Sequence, residues 1–157
     1  NAVAGSGKTT SIILIAEKFV DKNILQLTYN KALQIDVDNK ISERGIRNLH
    51  CYTYHGFASH FYKYKCYNNN DLQKILDGYG TLLKTKKIDI FIIDETQDQI
   101  FMYYELVIKF LADIKFTGII LLFGDINQCV YNFIGSDKRF LSLGGNIYNR
   151  EFINVKL

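Results

Sequence analysis

Ala4-Gly5-Ser6-Gly7-Lys8-Thr9-Thr10 decides how this 157-residue chain is read. The stretch fits the end of the pattern G-x-x-x-x-G-K-[ST], with Ala2 standing where the pattern has its first glycine. Glycines in such a loop let successive backbone N–H groups curl around phosphate oxygens. The lysine reaches the β/γ-phosphates, and the hydroxyl after it holds Mg²⁺. The apolar run Ile12-Ile13-Leu14-Ile15 follows at once, so the loop opens a helix and is not an isolated Gly/Ser turn. Ala4, Gly5, Ser6, Gly7, Lys8, Thr9 and Thr10 are therefore the candidate nucleotide-binding residues, with ATP as the expected cofactor.

The partner of such a loop is an acidic residue closing a buried strand. Ile88-Asp89-Ile90-Phe91-Ile92-Ile93 reads as a strand buried on both faces, and Asp94-Glu95 ends it. Asp94 is the candidate that shares Mg²⁺ with Thr9. Glu95 is the candidate base for the attacking water.

Outward from these two sites, helical and extended patterns alternate. Helices are expected from Lys8 to about Phe19, from Lys31 to about Arg44 with Gly45 as the stop, and from Tyr54 to Tyr64 with Thr53 as cap. Another follows the Asn68-Asn69-Asn70 turn, capped by Asp71 and broken at Gly78 and Gly80; a further one runs from Gln99 to about Asp113. Strands are expected at Ile24–Thr28, Asn48–Tyr52, Ile88–Ile93, Ile119–Phe123 and, at the end, Phe152–Leu157. Continuous apolar strands separated by helices predict an α/β domain with a mainly parallel sheet and helices on both faces. The acidic and phosphate-binding groups fall just after strand ends, where open α/β sheets bind ligands.

Composition narrows the classes. The chain is long enough for one domain, 1–157, with a core, and 48% of it is apolar. A net charge of +3 without a block of like charge argues against a basic nucleic-acid tail. Three cysteines, Cys51, Cys66 and Cys129, show no C-x-x-C spacing, so reduced thiols in an intracellular setting, cytoplasmic or nuclear, are expected. No apolar run reaches membrane-spanning length and the start does not resemble a secretion signal. His50, Cys51, His55, His60 and Cys66 lie close in sequence, but their spacing fits no common zinc finger. The first residue is Asn1, and such loops ordinarily follow a buried strand, so a piece of a longer protein is expected.

Gln97 and Asp98 complete the string Asp94-Glu95-Thr96-Gln97-Asp98. This D-E-x-Q-D resembles the second ATPase motif of superfamily 1 DNA helicases of the UvrD/Rep type. Gly124-Asp125-Ile126-Asn127-Gln128-Cys129-Val130-Tyr131-Asn132-Phe133-Ile134-Gly135 resembles their third motif, G-D-x-x-Q-x-I-Y-x-[FW]-R-G. Leu27-Thr28-Tyr29-Asn30-Lys31-Ala32 is similar to their motif Ia, and Thr53-Tyr54-His55-Gly56-Phe57-Ala58 to their T-[FY]-H element. Five motifs stand in the family's order and cover nearly the whole chain.

The resemblance implies a RecA-like P-loop NTPase domain, the first of two in the parent enzyme. That enzyme would be an ATP-dependent helicase or translocase moving 3′→5′ along single-stranded DNA. By the same likeness Gln128 senses the γ-phosphate and Gln97 joins its polar network, and Glu95, Lys8 and Gln128 form the catalytic set. Tyr131 and Phe133 stack on bases, where either could instead be a core residue; stacking suits a motor that must grip without reading sequence. Tyr29, Asn30, Thr53, Tyr54 and His55 are expected on the same strand, with Thr53 equally readable as a plain helix cap. Two departures stand out: Ile134 replaces the family's arginine, and only a short stretch, about 56–87, occupies the place of a larger inserted subdomain. The second RecA-like domain with its arginine fingers is missing, so the chain alone is expected to bind ATP–Mg²⁺ weakly and turn it over slowly or not at all. The alternative is a non-catalytic remnant that keeps the fold and at most binds nucleotide or DNA.

Overall fold

The computed structural model of the chain describes residues 7–125 and 139–153. Helix α1 (Gly7–Lys18) leads to strand β1 (Ile24–Thr28), helix α2 (Lys31–Glu43) to β2 (Leu49–Thr53), and α3 (Tyr54–Phe61) to α4 (Asn69–Leu76). Strand β3 (Ile90–Ile93) runs into a 3₁₀ turn at Thr96–Asp98, then α5 (Phe101–Asp113), β4 (Ile119–Leu122), and the short helices α6 (Arg139–Ser142) and α7 (Gly144–Tyr148).

Among the described residues the strands form one four-stranded sheet in the order β2-β1-β3-β4, every neighbour pair parallel. All five residues of β1 and all four of β3 are buried, as central strands covered on both faces must be. Alternation along the strands sorts the two faces. Leu25, Leu27, Phe91 and Ile93 join a core with Phe57 and Phe61 of α3, Leu72 and Ile75 of α4, and Leu106, Val107 and Phe110 of α5. Ile24, Leu49, Cys51, Ile90 and Ile92 pack instead with Ile12, Ile13 and Ala16 of α1 and Val37 of α2. Phe57 and Phe110 meet edge-to-face with centroids 4.7 Å apart, and burial of each ring contributes roughly 1.5–3 kcal/mol. The α/β class with a parallel sheet and helices on both faces is therefore the fold of this chain.

Capping explains where the helices begin. The Asn30 side chain accepts from the Leu33 N–H at 3.0 Å, and Thr53 Oγ1 accepts from the Gly56 N–H at 3.2 Å. Thr53 is both the last residue of β2 and the cap of α3, so strand passes into helix without a loop. Gly118 has little freedom at the mouth of β4: a Cβ there would lie 2.2 Å from the Asp89 carbonyl oxygen.

Several boundaries differ from the expectation. The cap of α4 is Asn68, which accepts from the Asp71 N–H, while Asp71 accepts from the Tyr67 N–H; either Asx residue could have capped, and the one that leaves Leu72 and Ile75 facing the core does so. Helix α3 ends at Phe61, because Lys63 adopts a left-handed backbone with φ 46°. Strand β3 starts at Ile90, with Asp89 holding the Asn23 N–H through its carboxylate. The 3₁₀ turn delays α5 to Phe101. Neither α6 nor α7 was expected, and Phe152 and Ile153 belong to no strand. The rest of that expected strand lies outside the described residues.

Candidate functional site

The carboxyl ends of β1 and β3 and the first turn of α1 converge on a strip of buried polar side chains: Lys8, Gln26, Thr28, Asp94, Thr96 and Gln97. Lys8, only 6% exposed, directs Nζ to Glu95 Oε2 at 2.5 Å. Glu95 follows β3 in the left-handed region, φ 50° and ψ 46°. Such a backbone costs a non-glycine residue of the order of 1–3 kcal/mol, and the surrounding bonds hold it. The Glu95 N–H donates to Asp94 Oδ1 at 3.0 Å, the Thr96 N–H to the Phe123 carbonyl at 2.9 Å, and Thr96 Oγ1 to the Ile93 carbonyl at 3.0 Å.

Gln97 spans two elements. Its Nε2 donates to Glu95 Oε2 at 2.8 Å, and its Oε1 accepts from the Asp125 N–H at 3.1 Å. A neutral amide can do both at once. The segment after β4 is thereby tied to the same carboxylate that engages Lys8.

Asp94 is 5% exposed. Burial, reinforced by the neighbouring Glu95 charge, pushes its carboxyl up to about 6 against the opposing pull of Lys8, the Glu95 N–H and Gln26. Gln26 Nε2 donates to Asp94 Oδ2 at 3.3 Å. Two further oxygens here, Gln26 Oε1 and Thr28 Oγ1, are buried with no hydrogen-bond partner among the described residues. Carboxylate and hydroxyl oxygens beside a lysine suit a hard divalent ion carried in with phosphates, since Mg²⁺ takes one or two carboxylates and completes its shell with water and phosphate. Asp94 and Thr9 could hold such an ion and Lys8 the phosphates, where the ion would neutralise phosphate charge.

The candidates for a nucleic-acid strand gather around a residue the sequence did not single out. Tyr103 of α5 stacks face to face on Tyr54, with centroids 4.2 Å apart and planes 9° apart. Tyr29 meets it edge-on at 6.4 Å and His55 at 5.8 Å. Only helical spacing marked Tyr103, as the start of the buried stripe Tyr103, Leu106, Val107, Phe110; its aromatic partners come from distant segments. Tyr54 is 2% exposed, so the expected strand contact of this ring is corrected to core packing: Tyr103 already covers its face. His55 keeps Nε2 3.0 Å from Asn69 Oδ1. The side-chain oxygens of Asn30 and Thr53 are engaged in capping. Ala4, Gly5, Ser6, Gln128, Tyr131, Phe133 and Ile134 lie outside the described residues.

The thiols are separated. Cys51 packs on the α1–α2 face of the sheet and Cys66 on the other, and burial pushes both thiols up, Cys66 to about 11. No group of three or more His, Cys, Asp or Glu that could hold a metal ion occurs among the described residues. No described helix is long and apolar enough to cross a membrane.

Comparison with known proteins fits this geometry. The sequence model of the AAA domain family matches residues 1–134. Over 61 residues, 36% of this chain, the sequence is 41% identical to F-box DNA helicase 1 from Gallus gallus, and the match spans 5% of that protein's length. A phosphate-loop lysine at the first turn of α1, paired acids closing a buried parallel strand, and a family match over most of the sequence together show that this chain belongs to the AAA domain family.

Proposed function

We propose that this chain is the ATP-binding part of an ATP-dependent DNA helicase or translocase of the UvrD/Rep type in superfamily 1. The observation that carries the reading is the continuous link from Lys8 through Glu95 and Gln97 to the Asp125 backbone. It joins the phosphate loop, the acidic motif and the start of the third motif, the three parts that a motor must connect to report phosphate loss. In this reading Lys8 and Gln128 contact the phosphates with the loop 4–10, and Thr9 and Asp94 hold Mg²⁺. Glu95 accepts the proton of the attacking water, and Gln97 carries the state of that carboxylate toward Asp125.

Single-stranded DNA lies in this reading across Tyr29 and His55, with Tyr131 and Phe133 as further base contacts. The likeness of part of the chain to a DNA helicase supports nucleic acid as the track. Stretch 56–87 acts as a reduced inserted subdomain. Turnover needs a second RecA-like domain supplying cationic side chains to the transferring phosphoryl group. In this reading the working enzyme is intracellular, moves 3′→5′, and hydrolyses ATP only with such a second domain in place.

Lys8→Ala tests the site. The expected result is at least a tenfold loss of affinity for a fluorescent ATP analogue with an unchanged far-UV spectrum, because the substitution lies at the first turn of α1 and leaves the sheet untouched. Unchanged affinity in a folded variant defeats the assignment.

A further inference from the structure

Resting on the nucleotide-site reading above, we infer that Gln26 is a positioning residue for Asp94, fixing the carboxylate that would face the metal. Strand β1 reads Ile-Leu-Gln-Leu-Thr and sits between β2 and β3. Gln26 is 0% exposed at its centre, in register with Cys51 on one side and Ile92 on the other. Both cross-strand neighbours, Cys51 and Ile92, would pack as well against an aliphatic side chain. A buried Gln must desolvate a full amide, and here the Oε1 atom finds no partner among the described residues, an arrangement that opposes folding. A buried unsatisfied group of this kind calls for a reason other than stability.

The other end of the same amide supplies one. Gln26 Nε2 donates to Asp94 Oδ2 at 3.3 Å, while the Glu95 N–H donates to Oδ1 at 3.0 Å. With a donor at each oxygen, rotation of the carboxylate about its Cβ–Cγ bond is restrained. A neutral donor suits this role, because a lysine would cancel the charge a cation needs and a second acid would repel the first. Outer partners of this type orient metal-binding carboxylates, and their loss typically weakens metal affinity 10- to 100-fold.

The test compares the 157-residue chain with Gln26→Met, which keeps the length and removes both the donor and the acceptor of the amide, and with Gln26→Leu as a second apolar variant. Binding of a fluorescent ATP analogue is followed during Mg²⁺ titration and in EDTA, and thermal unfolding is followed in parallel. The expected result is a rise of about tenfold in the Mg²⁺ concentration giving half of the affinity gain. Affinity in EDTA stays unchanged, and the melting temperature of at least one variant equals or exceeds that of the parent sequence. A Mg²⁺ midpoint within twofold of the parent in both variants overturns the inference. So does a midpoint shift seen only together with a marked loss of thermal stability, which marks a structural hydrogen bond. If the unmodified chain shows no Mg²⁺-dependent gain at all, the nucleotide-site reading itself fails, an outcome separate from any effect of Gln26.

Discussion

The Lys8–Glu95 pair sets a clear expectation for Glu95→Gln. The ammonium must leave Glu95 to reach a phosphate, so whatever this contact contributes in the free protein is subtracted from nucleotide affinity. At 2.5 Å, with an effective dielectric constant of about 20, the gross attraction is roughly 7 kcal/mol. Most of it is offset by the desolvation of both groups, whose side chains are 8% and 20% exposed. The net worth of a hydrogen bond to a charged group, about 1.5–3 kcal/mol, is the better measure. Because the glutamine oxygen can still accept from Lys8, only the difference from a neutral hydrogen bond, about 1–1.5 kcal/mol, is released, so Glu95→Gln should tighten binding of ATP by about 5- to 13-fold. The free protein should melt at a lower temperature, because Lys8 loses its counter-ion, and saturating nucleotide should restore the difference. In a parent enzyme with its second domain the same change should abolish turnover. Isothermal calorimetry with a non-hydrolysable analogue reads the affinity directly. Equal or weaker binding by the variant would refute the view that Glu95 competes with phosphate for Lys8.

Two further expectations follow from named contacts. The Asp94 carboxyl, held up at about 6 by burial, keeps its proton in the native chain at pH values where the unfolded chain has released it; its contribution to stability is therefore full below the ordinary carboxylate range and lost as pH rises to about 6. Urea midpoints across that window should fall more steeply with pH for the parent sequence than for Asp94→Asn, and identical slopes would contradict the assignment. Tyr103→Ala should weaken binding of a short oligothymidylate by at least about fivefold at low salt, since Tyr29 and His55, whose rings rest edge-on against the buried Tyr103, lose their support and a base contact is worth roughly 1–3 kcal/mol, whereas Tyr103→Phe should retain it. Full affinity in the alanine variant, by fluorescence anisotropy, would show that Tyr103 does not hold Tyr29 and His55 in a strand-binding position.

Much of the fold was legible because local signals and burial agree. Ile24–Thr28 is a strand to the residue, and Thr53 is the cap that its position announced. The missed boundaries lie where two local solutions compete. Asn68 and Asp71 can each cap one helix, and only the packing of Leu72 and Ile75 selects between them. Gln99 fits the helical pattern of α5, but the left-handed Glu95 forces a 3₁₀ turn first. At the site, the residue types around Lys8, Asp94 and Glu95 could be named from motif spacing alone. The contacts of Gln26 with Asp94 and of Tyr103 with Tyr54, Tyr29 and His55 could not, because a strand glutamine and a helix tyrosine acquire meaning only from what the topology sets opposite them.

The direct passage from β2 to α3 carries a lesson about tolerance. With Thr53 closing the strand and opening the helix, there is no slack to absorb an added residue. One insertion at the junction would turn the whole of α3 by about 100°. Phe57 and Phe61 would swing toward water, and His55 would leave the side of the molecule where Tyr29 stands. This joint therefore works as a rigid angle bracket, its length set by the packing of Phe57 and Phe61 in the core.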